Sequence, residues 1–205
     1  MKTRSASFRD RFGLVALVGI ACVASACAAP ADDAGDGEVS GESALTSGTS
    51  ATVAKQMRAL LATARSNASG RQPGGHCYAV VAKDIDTVGY GKIPAQALGA
   101  VGSLPAIPAA YRNYAHEFAD YLNAGNHAAA LGLKRLHLDN PYNAPAGAIV
   151  VVRAGAPGTA NPVAGDIAIA AGNGAFFNDG EMTYGGAPRF PDGNDFVLGV
   201  YVPES

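Results

Sequence analysis

The apolar residues of this chain change their period once along its length. Val53, Met57, Leu60, Leu61 and Ala64 recur three and four positions apart, as do Tyr111, Tyr114, Phe118 and Tyr121 or Leu122. After Pro145 they run unbroken, in Ala148-Ile149-Val150-Val151-Val152, or alternate, in Asp166-Ile167-Ala168-Ile169-Ala170. The first spacing builds one face of a helix, whereas continuous or alternating β-branched runs build strands. Helices gathered first and antiparallel strands afterwards predict an α+β domain, with N-terminal helices packed on a C-terminal sheet. The expected helices begin near Thr52 and at Cys77, cover 111–122 and close with a short one over 127–133. The expected strands are 148–152, 166–170, 175–178 and 196–202, with Gly172-Asn173-Gly174 as the hairpin turn. Gly and Pro content marks 66–75 and 90–108 as loops.

The first residues read as a targeting segment. Lys2, Arg4, Arg9 and Arg11 precede a stretch, 12–26, that is apolar apart from Ser25. That is shorter than the ~20 residues a membrane-spanning helix needs, and it ends in small residues, as an export signal does. Val23-Ala24-Ser25-Ala26-Cys27 resembles the lipobox of bacterial lipoproteins, which would make Cys27 a lipidated N-terminus and place the protein in the cell envelope, periplasmic or at the surface. Ordinary cleavage after Ala26 or Ala29 would instead give a soluble secreted protein. Residues 28–51 are almost all Ala, Gly, Ser, Thr, Asp and Glu, with only Pro30, Val39 and Leu45 besides, and read as a flexible acidic tether. Residues 52–205 then form a single domain.

Without the first 27 residues the chain carries 11 basic and 16 acidic groups. Such a surface does not suit nucleic acid or anionic lipid. Of the three cysteines, Cys22 lies inside the removable segment and Cys27 is the candidate anchor. Cys77 is the one thiol left in the domain, so no disulfide can form there. A cysteine in an oxidising compartment needs burial or a task. Cys77 opens a predicted helix. The unpaired amides and dipole at a helix start favour a thiolate, and Gly74 and Gly75 allow close approach. The plainer alternative is a small buried hydrophobe.

Four segments, in order, resemble the CHAP domain, a papain-like cysteine amidase or endopeptidase close to NlpC/P60. They are Gly75-His76-Cys77-Tyr78, Pro145-Ala146-Gly147-Ala148-Ile149-Val150-Val151, Gly165-Asp166-Ile167-Ala168-Ile169-Ala170, and Gly180-Glu181-Met182-Thr183-Tyr184-Gly185-Gly186. The resemblance covers about 110 residues. It implies Cys77 as nucleophile, a histidine on the first hairpin strand as base, a polar residue orienting it, and amide donors for the oxyanion. Substrates would be peptidoglycan peptide or related amide bonds. It also implies catalytic roles for Asp166, Glu181 and His76, and substrate contacts for Gly75, Tyr78, Thr183 and Tyr184.

Asp166 stands where that family has its histidine, and Thr183 where it has Asn or a related polar residue. A carboxylate of ordinary pKa, about 3.9, is a poor base for a thiol. Placed close by, it would raise the thiol's pKa. His76 is expected to offer a donor rather than act as base. His116 reads as a solvated or hydrogen-bonded helix residue, His127 as a helix-start or turn residue, and His137 as a partly buried one. Asp166, Asp179 and Glu181 lie near one hairpin, but no metal-ligand spacing is present, so neither metal nor cofactor is expected. Asn67-Ala68-Ser69 has a glycosylation-type spacing and reads as loop polarity. Two functions follow: a divergent cysteine hydrolase of cell-wall peptide, or a non-catalytic, monomeric lipoprotein that binds wall peptide or a protein partner.

Overall fold

A computed structural model describes residues 50–97, 102, 104–159, 161–185, 190 and 195–205. The export signal, Cys27 and almost all of the expected tether lie outside these residues. No helix among the described residues is long and apolar enough to cross a membrane.

The class is α+β. Helices α1 (Ala51–Ala68), α2 (Cys77–Val88), α3 (Ala115–Asn123) and α4 (His127–Ala130) precede all six strands. The strands are β1 (Leu133–Leu136), β2 (Ile149–Val152), β3 (Asp166–Ala170), β4 (Phe176–Phe177), β5 (Glu181–Met182) and β6 (Val197–Pro203). They form one antiparallel sheet in the order β1-β6-β2-β3-β4-β5. Every residue of β2 and β3 is buried, so both faces of the central strands are covered. That is why Ile149–Val152 is β-branched throughout rather than alternating.

Helix α1 starts where the Ser50 side chain accepts from the Val53 amide at 3.3 Å. Its stripe of Val53, Met57, Leu60, Ala64 and Ala68 is buried, each large side chain contributing about 1.5–3 kcal/mol by leaving water. The helix runs past the expected loop start at residue 66. Ala68 belongs to the core, and Asn67 donates to Asp84 on α2 at 2.6 Å, so Asn67 serves packing rather than loop polarity. Gly89, with φ +74, ends α2.

The expected helix over 111–122 is shorter. A 3-10 turn covers Ala109–Tyr111 and α3 begins at Ala115, its entry fixed by Glu117, whose Oε2 accepts from the Asn113 and Tyr114 amides. Ala115, Phe118, Ala119 and Leu122 face inward. Tyr111 and Tyr114, expected to do so, are 38 % and 43 % exposed. The expected helix over 127–133 also stops early, and Leu133–Leu136 becomes the edge strand β1. Four residues with one buried leucine carry no strand signature of their own; pairing with β6 makes them a strand. Strand β5, absent from the expected strands, pairs with β4 over two residues.

Gly147 sets the distance between α1 and the start of β2. Its φ is +85, and a Cβ there would lie 2.4 Å from the Met57 carbonyl oxygen, a place only glycine fills without displacement. The Tyr90 hydroxyl donates to the Gly147 carbonyl at 2.6 Å inside the core.

Asp84 is fully buried, with Oδ2 unpartnered. Burial raises its pKa from 3.8 to about 6, against the opposing pull of Asn67 and Lys83. A carboxyl that holds its proton more tightly when folded adds stability at acid pH. That stability is complete below about pH 3.8 and is lost as pH rises through about 6. Asp84→Asn is therefore expected to raise the melting temperature by a few degrees at pH 7.5 and to change it little at pH 3.5. Thermal melts at the two pH values check this; equal effects at both would refute it.

Candidate functional site

The site is built where α2 begins against β3. The strap before α2 (residues 69–76) turns through Gly75, with φ +87, and is tied down by Asp179. Asp179 Oδ2 accepts from the Gly74 amide at 2.8 Å and the His76 amide at 2.7 Å. The helix start thus already holds a negative charge, and that charge is a carboxylate rather than a thiolate. Asp179, which the sequence marks only as one of three acids near a hairpin, is buried, and it positions the strap and the cysteine that follows.

Cys77 is the first residue of α2 and is 9 % exposed. Asp166, the first residue of β3, is 6 % exposed and lies beside the sulfur. Its Oδ1 accepts from its neighbour's amide, Ile167 N–H, at 2.8 Å and from Asn178 Nδ2 at 3.1 Å, while the Cys77 thiol donates to the same carboxylate. Burial and the adjacent Asp166 charge push the thiol from an ordinary 9.0 up to about 12. The Ile167 and Tyr78 amides near the sulfur pull the other way and are outweighed. Burial also lifts Asp166 to about 6, although the hydrogen bonds from Cys77, Ile167 and Asn178 favour its charged form. At neutral pH the pair is a neutral thiol donating to a carboxylate. Moving the thiol proton onto Asp166 is uphill, because the buried thiol holds its proton more tightly than the carboxyl does.

Two clefts open on either side of Cys77, of about 150 Å³ and 290 Å³. Gly75, Cys77 and Asn161 line both, so the two clefts meet at Cys77. The smaller end is walled by Pro73, Gly158, Asp166 and Met182, the larger by His76, Tyr78, Arg112 and Tyr114.

Of the residues singled out by sequence, Cys77, Asp166, Gly75, His76 and Tyr78 meet at this groove. Glu181 does not. Side chains alternate across a strand, so Met182 lines the Cys77 cleft while Glu181 is exposed beside Arg65 and Asn173, in a separate depression. Thr183 is exposed beside the Tyr142 hydroxyl. Tyr184 is fully buried, its ring against Phe176, so it backs the Cys77–Asp166 pair and cannot touch a ligand in the groove. Asn178 was missed: one asparagine in a hairpin gives no warning that it will hold a buried carboxylate.

None of the four histidines hydrogen-bonds the sulfur among the described residues. His116 Nδ1 contacts the Ala164 carbonyl at 3.2 Å, and His127 Nδ1 contacts that of Tyr121 at 2.9 Å while its ring stacks on Tyr121. His137, expected to be partly buried, is exposed after β1. His76 sits at the cap of α2 with no side-chain capping bond. No group of three or more His, Cys, Asp or Glu among the described residues could hold a metal ion. No protein-family model, no curated protein and no solved structure matches this chain.

Proposed function

We propose that this chain is a CHAP-like envelope lipoprotein whose Cys77 groove binds a segment of cell-wall peptide without cleaving it. The observation that carries the reading is the Cys77–Asp166 contact. A thiol near pKa 12 beside a carboxylate has the wrong protonation state for a nucleophile, and the carboxylate cannot serve as its base. The clefts themselves remain: Gly75, Gly158 and Gly165 are among the residues that line them, Cys77 lines both, and the strap is held by Asp179. Such a groove suits an extended chain passing over Gly75 and Asn161. Export and lipidation through Cys27 would hold it at the wall.

The test combines retention and turnover. Purified peptidoglycan should retain the protein and yield no soluble fragments over hours. Cleavage that disappears in Cys77→Ala would overturn this reading in favour of the hydrolase. That second reading is favoured by the position of Cys77 at the start of α2 between two open clefts. Asp166→His probes the relation between the two: an imidazole there supplies the missing base, and new cleavage by this variant alone would mark a groove that lost its chemistry and kept its ligand.

A further inference from the structure

The turn between β3 and β4 brings together what an asparagine needs to react with its own main chain. Asn173 is the only asparagine in the chain that a glycine follows. Glycine lacks the Cβ that would crowd the approach of its nitrogen to the preceding side chain. Asn173 is exposed, so water and hydroxide reach it. Among the described residues the Gly174 amide makes no hydrogen bond, so nothing holds its proton. The Ala175 amide donates to Asn173 Oδ1 at 3.4 Å. That contact folds the side chain back over its own turn and places a donor on the oxygen that gains charge during an addition.

Other asparagines lack these conditions. Asn178 is buried, and its Nδ2 donates to Asp166 Oδ1 and Met182 Sδ. Asn67 lies within α1 and donates to Asp84. Asn161 precedes a proline, whose nitrogen has no proton to lose.

We infer that Asn173 is a site of spontaneous deamidation and that its isoaspartate product opens the β3–β4 turn. The Gly174 nitrogen gives its proton to hydroxide and attacks the Asn173 side-chain carbonyl carbon. The new bond closes a five-membered imide, and the side-chain nitrogen takes up a proton and leaves as ammonia. Water then opens the imide. Cleavage at the side-chain carbonyl gives aspartate, and cleavage at the main-chain carbonyl gives isoaspartate; one water enters and one ammonia leaves. Aspartate adds a charge beside Arg65 and Glu181, which line the same depression. Isoaspartate also routes the main chain through the side-chain carbon and lengthens the turn. The turn has little slack: the Ala171 amide donates to the Ala175 carbonyl at 2.9 Å, and a Cβ on Gly172 would lie 2.9 Å from the Ala146 Cβ. The same hairpin leads to Asn178 and Asp179, which hold Asp166 and the strap.

The experiment ages the full chain at neutral pH and follows each asparagine peptide by mass spectrometry, with isoaspartate counted by enzymatic methyl transfer to its free α-carboxylate. Asn173 should convert about tenfold or more faster than Asn67 and Asn178, whose side chains are held by hydrogen bonds. Its rate should rise in proportion to hydroxide concentration and lie within about threefold of the rate at the same residue in urea. Amide exchange at Ala171 should quicken in the aged chain and stay native in freshly made Asn173→Asp, which carries the charge without the longer main chain. An Asn173 that stays intact in the folded chain overturns the site, and its conversion in urea would then show that the fold protects it. Conversion with unchanged Ala171 exchange overturns the opening of the turn alone. The comparison among asparagines of the native chain needs no variant, so no folding defect can obscure it.

Discussion

Cys77 in the native protein is expected to react with iodoacetamide at pH 7 about a thousandfold more slowly than an exposed thiol. With its pKa near 12 instead of 9.0, the thiolate fraction at pH 7 falls from about one in a hundred to about one in a hundred thousand. Restricted access at 9 % exposure slows it further. Mass-spectrometric mapping of the Cys77 peptide against time gives the rate without interference from Cys22 or Cys27. Asp166→Asn removes the like charge and the carboxylate that accepts the thiol proton, and keeps the shape. It should accelerate labelling at least tenfold. It should not restore the rate of a free thiol, because burial is the larger of the two causes and remains. A native rate within tenfold of a small free thiol would show that the sulfur is ionised after all and would remove the argument against turnover.

Asp179→Ala is expected to lower global stability by about 2–4 kcal/mol, read from denaturant midpoints at unchanged slope. The residue supplies the acceptor for the Gly74 and His76 amides, which lie 105 and 103 positions away in sequence. Without it the two donors at the mouth of α2 lose a charged partner, and the strap from 69 to 76 loses its tether to the hairpin. Amide exchange at Gly74 and His76 should rise well beyond the change caused by global destabilisation. Asp179→Asn keeps one acceptor oxygen and should cost about 1 kcal/mol. If those two amides exchange at native rates in Asp179→Ala, the carboxylate does not hold the strap. The groove would then owe its form to Gly75 and the start of α2 alone.

These two results bear on one point. In this site the positive end of α2 attracts a carboxylate from the hairpin, and the cysteine beside it stays neutral. A helix start is a general site for anions, and here a side chain of the chain itself fills it.

The α+β class, the helix opening at Cys77 and the strand character of 149–152 and 166–170 were all legible without coordinates. Each depends on local spacing: a 3.6-residue stripe or a run of β-branched residues shows its element wherever the rest of the chain goes. Placing Asp166 at the head of a hairpin strand was within reach for the same reason. Elements with few buried residues, β1 and β5, were not legible, because pairing with β6 and β4 makes them strands. The same holds for the inward face of α3, where Tyr111 and Tyr114 fit the spacing but precede the helix. The chemistry of the site was decided only by the tertiary fold. Whether Asp166 raises the Cys77 pKa, whether Asp179 is solvated or ties a strap, and whether Glu181 meets the sulfur all depend on which distant segments touch. Charge and hydrogen-bond energies vary steeply with separation and burial, and neither quantity is written in the spacing of residues along the chain.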